Sequence, residues 1–193
     1  MGPQRIIHDV NRATLNEACR VVARAFADDP VLRWIRPRGA VRGDTILFRG
    51  LYSALHGVPG TAHRLRDDGV AVGAAFWDPP GFTPPVAQQL TALPRLGVTV
   101  RTGIGRGIRL ITAIEAARPA EPHWYLSTIG AAVHGRGVGT ALLRHGLDRI
   151  DGPAYLESSN RANIPLYERV GFAVTGEITI DGGPPLWAMW RPA

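Results

Sequence analysis

From Gln4 to Val10, the apolar Ile6, Ile7 and Val10 stand among polar neighbours over a strand's length, and a first short β-strand is expected there. Thr14-Leu15-Asn16-Glu17 then has capping-box spacing. Leu15, Ala18, Val22, Ala25 and Phe26 recur at helical spacing as far as Asp28-Asp29-Pro30, so one helix with an inward face follows. A second helix is expected from about Asp44 to Leu55. His63–Arg66 and Val70–Trp77 flank the turn Asp67-Asp68-Gly69, which predicts an antiparallel hairpin. Between Pro79 and Pro122, Pro79-Pro80-Gly81 and Pro84-Pro85 mark loops, while 86–93 and Ile108–Ala117 have helical composition. Gly97, Gly103, Gly105 and Gly107 argue against one long helix between them.

The pattern is clearest in the C-terminal half. An apolar strand Trp124–Val133 leads through a glycine-rich turn into a helix to about Ile150, closed by Gly152 and Pro153, and then into a strand Ala154–Leu156. That is a strand–helix–strand unit. Asn163 stands where it would cap a short helix through Val170, which Gly171 terminates. Two last strands, Phe172–Ile180 and Pro185–Arg191, are joined by Asp181-Gly182-Gly183.

Composition narrows the class. A chain of 193 residues, 45% hydrophobic and 20% charged, is expected to fold as a single soluble α/β domain over residues 1–193. No apolar run has the length of a membrane span and no secretory leader stands out, so a cytoplasmic address is expected. Cys19 is the one cysteine, and no Cys/His cluster has zinc spacing; neither a disulfide nor a metal is expected. The net charge of +6 raises the question of nucleic acid, but the 22 basic residues are all arginine and are scattered without interleaved aromatics. No nucleic-acid partner is expected. The absence of lysine excludes P-loop NTPases, protein kinases and pyridoxal enzymes, each of which uses one. Arg95, Arg101, Arg106, Arg109 and Arg118 are read as a solvated face.

One motif carries chemistry. HGRGVG at 134–139 lies between strand and helix, where free backbone amides and the helix dipole favour an anion. A dinucleotide fingerprint would need glycine at 140 or 142, where Thr140 and Leu142 stand, so a Rossmann site fails. Without lysine, backbone amides and Arg136 are left to hold a pyrophosphate; a plain glycine-rich turn is the alternative.

Gly137 and Gly139, with Tyr167, Gly171 and Phe172 further on, resemble the two signature blocks of the GNAT N-acetyltransferase superfamily. HWYL at 123–126, YLES at 155–158, NIPLYERVGF at 163–172, PPLWAMWR at 184–191 and AFADDPV at 25–31 look like its puromycin N-acetyltransferase branch. His134 stands where the family has Gln or Arg, and the stretch from Tyr125 to Gly135 is about two residues shorter than usual. The resemblance implies a GNAT fold: a central mixed, mostly antiparallel sheet with a splayed parallel strand pair, flanked by helices. It further implies acetyl-CoA as acyl donor, with its pantetheine arm along Ile129, Gly130, Ala131, Ala132 and Val133. The pyrophosphate would lie at Arg136, Gly137, Val138, Gly139 and Thr140. Tyr167 would be the general acid, with a buried, merely hydrogen-bonded tyrosine as the alternative. Asn163 would touch the cofactor, cap its helix, or both. Glu157 is the first candidate for general base, ahead of His123 and Glu121. Cys19, far from these motifs, is expected in the core, which leaves direct transfer in a ternary complex. The expected acceptor is a small primary amine and the expected state a monomer or homodimer. Acetylation of a protein N-terminus or lysine, and a non-catalytic acyl-CoA sensor, are the alternatives.

Overall fold

The computed structural model describes residues 4–37, 41–87 and 103–193, the side chains of 41 and 42 excepted. In chain order its elements are β1 (Arg5–Asp9), α1 (Leu15–Ala25), α2 (Pro30–Ile35), α3 (Val41–Leu55), β2 (Ala62–Asp67) and β3 (Val70–Asp78). There follow α4 (Ile104–Ala117), β4 (Trp124–Ala131), α5 (Val138–Leu147), β5 (Ala154–Ser158), a 3₁₀ turn at Arg161–Asn163 leading into α6 (Ile164–Glu168), β6 (Ala173–Ile178) and β7 (Leu186–Arg191). The seven strands form one sheet in the order β1-β2-β3-β4-β5-β7-β6. β4 and β5 run parallel and the other neighbours antiparallel. This is the mixed sheet that the resemblance implied.

Helices cover both faces. On one face Leu65, Val72, Trp77, Leu126, Leu156 and Met189 pack against Leu142 and Leu143 of α5 and Tyr167 of α6. On the other, Ala74 and Phe76 meet α1 and α3, while Tyr155, Ile178 and Ala188 meet Val31 and Ile35 of α2 with Ile114 of α4 alongside. Close approach on the first face depends on Gly146: a Cβ there would lie 2.5 Å from Trp77 Nε1.

Local chemistry departs from expectation at several element ends. The Thr14/Glu17 capping box does not form. Asn11 Oδ1 instead accepts the amides of Ala13 and Thr14 at 3.0 and 3.1 Å, and Glu17 pairs with Arg64 and Arg66 of β2. The turn at 28–30 ends α1 and also begins an unexpected helix, with Asp29 Oδ1 accepting the Leu32 amide at 2.8 Å and Pro30 at the first helical position. Buried Asp44 pairs with Arg33 at 2.7 Å and with Arg36, which ties α2 to α3. α4 includes Gly105 and Gly107, held by apolar residues rather than by propensity. The helix expected at 86–93, with Arg95 and Arg101, lies outside the described residues beyond 87.

Candidate active site

The site begins where β4 and β5 part. They pair only at Trp124↔Ala154 and Tyr125↔Tyr155, after which β4 continues to Ala131 and β5 to Ser158 without meeting. A bulge sharpens the divergence. Thr128 opposes Phe76 and Leu126 opposes Trp77, so Ser127 is an extra residue on β4, its hydroxyl donating to the Phe76 carbonyl at 3.2 Å. The bulge turns both Leu126 and Ile129 toward the α5 face. Beyond it, Gly130 is pressed by α1: an added Cβ would stand 2.9 Å from Ala25 Cβ and 3.3 Å from Val22 Cα.

At the end of β4, Ala132, Val133 and the exposed His134 lead into a turn in which Gly135 (φ +71°) and Gly137 (φ +70°) are left-handed. An added Cβ at either would meet nothing within 4 Å, so open space lies over the turn. Val138, Gly139 and Thr140 form the first turn of α5. Gly139 has a packing role as well, because Leu166 of α6 would lie 3.2 Å from a Cβ there. The Arg136 guanidinium is turned onto Asp67, 3.3 Å away.

Tyr167 is buried, its ring edge-on to Phe172 at 6.3 Å. Burial and then the charge of Asp29 push its hydroxyl pKa well up, so it holds its proton at neutral pH. Ser159, just after β5, donates to Asp29 Oδ2 and ties the head of α2 to the strand end. Asn163 is exposed and makes no capping bond; Asn160 caps the 3₁₀ turn instead, accepting from the Ala162 amide at 3.0 Å.

Glu157 lies on the opposite side of β5 from Leu156, sharing the face of Tyr155 as strand alternation requires. Its Oε2 accepts the Tyr125 hydroxyl at 2.8 Å. Arg118, at the end of α4, stacks over the Tyr125 ring at 4.4 Å. Burial raises the Glu157 pKa, opposed by the Tyr125 hydrogen bond and the Arg118 charge. The Tyr155 hydroxyl faces the same Glu157 carboxylate and, like the Tyr125 hydroxyl, favours its charged form; Asp78 Oδ1 is buried without a hydrogen-bond partner among the described residues. Asp78 sits opposite Tyr125 in the sheet, with His56 Nδ1 2.6 Å from its other oxygen. His123 reaches this cluster through its ring, 5.3 Å from Tyr155, while its Nδ1 is engaged by the Glu121 carbonyl at 2.6 Å. The Glu121 side chain is exposed.

A family model described as the acetyltransferase (GNAT) family matches residues 34–172. Over 100% of its length the chain is 33% identical to a Corynebacterium glutamicum structure described as histone acetyltransferase HPA2 and related acetyltransferase, covering 98% of that chain with a TM-score of 0.73. The chain belongs to the GNAT acetyltransferase family. Its fold is shared at 12% identity by arylalkylamine N-acetyltransferase 2 of Aedes aegypti (TM-score 0.67, 98% of this chain and 99% of that). Drosophila melanogaster polyamine N-acetyltransferase is similar at 12% identity and TM-score 0.65, with 98% of this chain and 100% of that one covered.

As a GNAT acetyltransferase the chain is an acyltransferase, and the residues present fit an acyl-CoA. The unpaired edge of β4 offers main-chain partners for an extended arm, and the turn leaves room for a phosphate. Tyr125, Tyr155, Asp78 and Ser127 were not among the expected site residues, and Arg118 was read as part of a solvated face. Arg118 is no solvated cation, because it stacks on Tyr125; of its expected companions, Arg106 donates to the Trp34 carbonyl at 2.9 Å and Arg109 lies over the Trp34 ring. The one signal in sequence was Tyr155-x-Glu157, spacing that puts both side chains on one strand face. Among the described residues no three potential ligands are grouped to hold a metal, and no helix is long and apolar enough to cross a membrane.

Proposed function

We propose that this protein transfers an acetyl group from acetyl-CoA to the primary amine of a compact small molecule, directly and within a ternary complex. One observation carries the reading: where β4 and β5 part, the buried Tyr167 packs on one face of the sheet and the half-buried Glu157 carboxylate lies on the other. Acetyl-CoA, when bound, supplies the acetyl group as a thioester. Ile129–Val133 would hold its arm, and Arg136–Thr140, with Asn163, its pyrophosphate end. Glu157 Oε1 takes a proton from the acceptor ammonium and frees the nitrogen lone pair. That nitrogen would bond to the acetyl carbonyl carbon as the carbon–sulfur bond breaks, and Tyr167 would give its hydroxyl proton to the departing sulfur and recover one from the new amide nitrogen. Cys19 takes no part, since it is fully buried in α1 with its thiol pKa pushed up to about 12.

A small acceptor is supported by the cluster itself. Tyr125 and Tyr155 are stacked at 6.1 Å beside the carboxylates of Glu157 and Asp78, a setting for a cationic amine on an aromatic or aliphatic body. The likeness to the puromycin branch and the arylalkylamine and polyamine enzymes sharing the fold point the same way. Protein lysine acetylation is the second reading, favoured by the description of the Corynebacterium relative. Mass spectrometry after incubation with acetyl-CoA and either aminonucleosides, aminoglycosides, polyamines and arylalkylamines or lysine and N-terminal peptides separates the two. Acetylation of peptides alone would overturn the small-amine assignment. Tyr167→Phe is expected to lower kcat roughly ten- to a thousandfold with cofactor affinity retained; unchanged turnover would reduce Tyr167 to packing.

A further inference from the structure

We propose that Arg5, held in place by Asp67, is a positioning residue for the acyl donor: it orients one peptide unit of the glycine turn so that its N–H faces the pyrophosphate. The inference rests on the acetyl-CoA reading above. Arg5 opens β1 and is the register partner of Asp67, the last residue of β2. The Asp67 carboxylate is buried, its side chain 4% exposed, and Oδ2 has Arg5 Nε and Arg136 Nη2 each 3.3 Å away. Two guanidinium groups 131 residues apart in sequence thus share one buried anion. The fork shape of arginine leaves Arg5 a second donor, and Nη1 donates to the Arg136 backbone carbonyl at 2.8 Å.

That last bond sets a direction. In a planar trans peptide the carbonyl and the next N–H point opposite ways, so drawing the Arg136 carbonyl toward Arg5 turns the Gly137 N–H away from it. This peptide joins Arg136 to Gly137, so flipping it changes ψ of Arg136 and φ of Gly137; Gly137, with no Cβ, accepts φ of either sign and does not itself select this orientation. Arg5 supplies the selection. The turn also opens α5, where the macrodipole adds to any anion held by its first amides. Asp67 is itself braced by the Asp68-Gly69 turn that joins β2 to β3, with Asp68 Oδ1 accepting the Gln4 amide at 3.1 Å.

The test compares ligands with and without a pyrophosphate. Calorimetry of CoA with Arg5→Met should show affinity weakened roughly tenfold, the scale of one hydrogen bond to a charged group, and Asp67→Asn, a near-isosteric change, should shift it the same way. With S-acetylpantetheine as donor, which lacks the pyrophosphate, kcat/KM should be the same in parent and variants, so the preference for acetyl-CoA falls by the factor seen in calorimetry. Equal CoA affinity in parent and variants would overturn the proposal while leaving the donor reading intact. An equal loss on S-acetylpantetheine would overturn it too, by exposing general damage. A parent protein that binds no CoA would instead sink the donor reading, and this proposal with it.

Discussion

At the scale of single residues, the proposed acid and base have environments that push both pKa values upward for different purposes. Tyr167 must keep its proton until sulfur departs, and burial beside Asp29 ensures that. Glu157 must lose its proton before it can accept one, and burial delays this. Activity should therefore rise with pH through a limb lying above the ordinary carboxylate range, and Tyr125→Phe should move that limb higher by removing a hydrogen bond that favours the charged form. A pH profile of kcat/KM decides it; a limb unmoved in Tyr125→Phe would detach Tyr125 from the base. That Tyr167 would lie on the short helix before Gly171, and Glu157 on the strand beside the splay, was legible because each position is fixed within one short segment. Asp78 and Arg118 were not, since one meets Tyr125 only through the β3–β4 register and the other through the packing of α4.

At the scale of elements, strands and helices follow the hydrophobic period, and the misreadings concentrate at their ends. Thr14 and Glu17 have capping-box spacing, yet Asn11 takes the amides first and Glu17 finds arginines on β2 instead. The extra residue at Ser127 was hidden for a related reason: a bulge leaves no mark in an apolar run and appears only against the partner strand. Gly137 lies, as expected, in the turn between strand and helix, and its left-handed φ explains why the position is demanding. Gly137→Val should cost roughly 1–3 kcal/mol of backbone strain and weaken CoA binding at least tenfold by displacing the first amides of α5. Calorimetry beside a thermal melt measures both; parent-like affinity would put the pyrophosphate elsewhere.

At the scale of the whole molecule, the mixed sheet and its flanking helices were legible because GNAT signature blocks fall in order along the chain, whereas α2 was not, being only 6 residues long. One cross-element contact links stability to pH. His63 of β2 and His145 of α5 meet edge-on at 4.6 Å. Burial, with His63 and Arg149 adding to it, lowers His145 to about 4, and burial also lowers His63 against the pull of Asp9. Unfolded imidazoles protonate near 6.5, so the neutral folded pair contributes stability fully above that value and loses it as pH falls toward 4. Thermal melts should drop over this window, and His145→Gln should flatten the drop; an equal slope in both proteins would acquit the pair. The parting of β4 from β5 has a mechanical side as well. Strands β1 to β4 and strands β5, β7 and β6 are stitched together within the sheet by just two residue pairs. A guest lying between them would act as a rivet across a seam, so saturating CoA should slow hydrogen exchange on both banks at once, far beyond the atoms it touches.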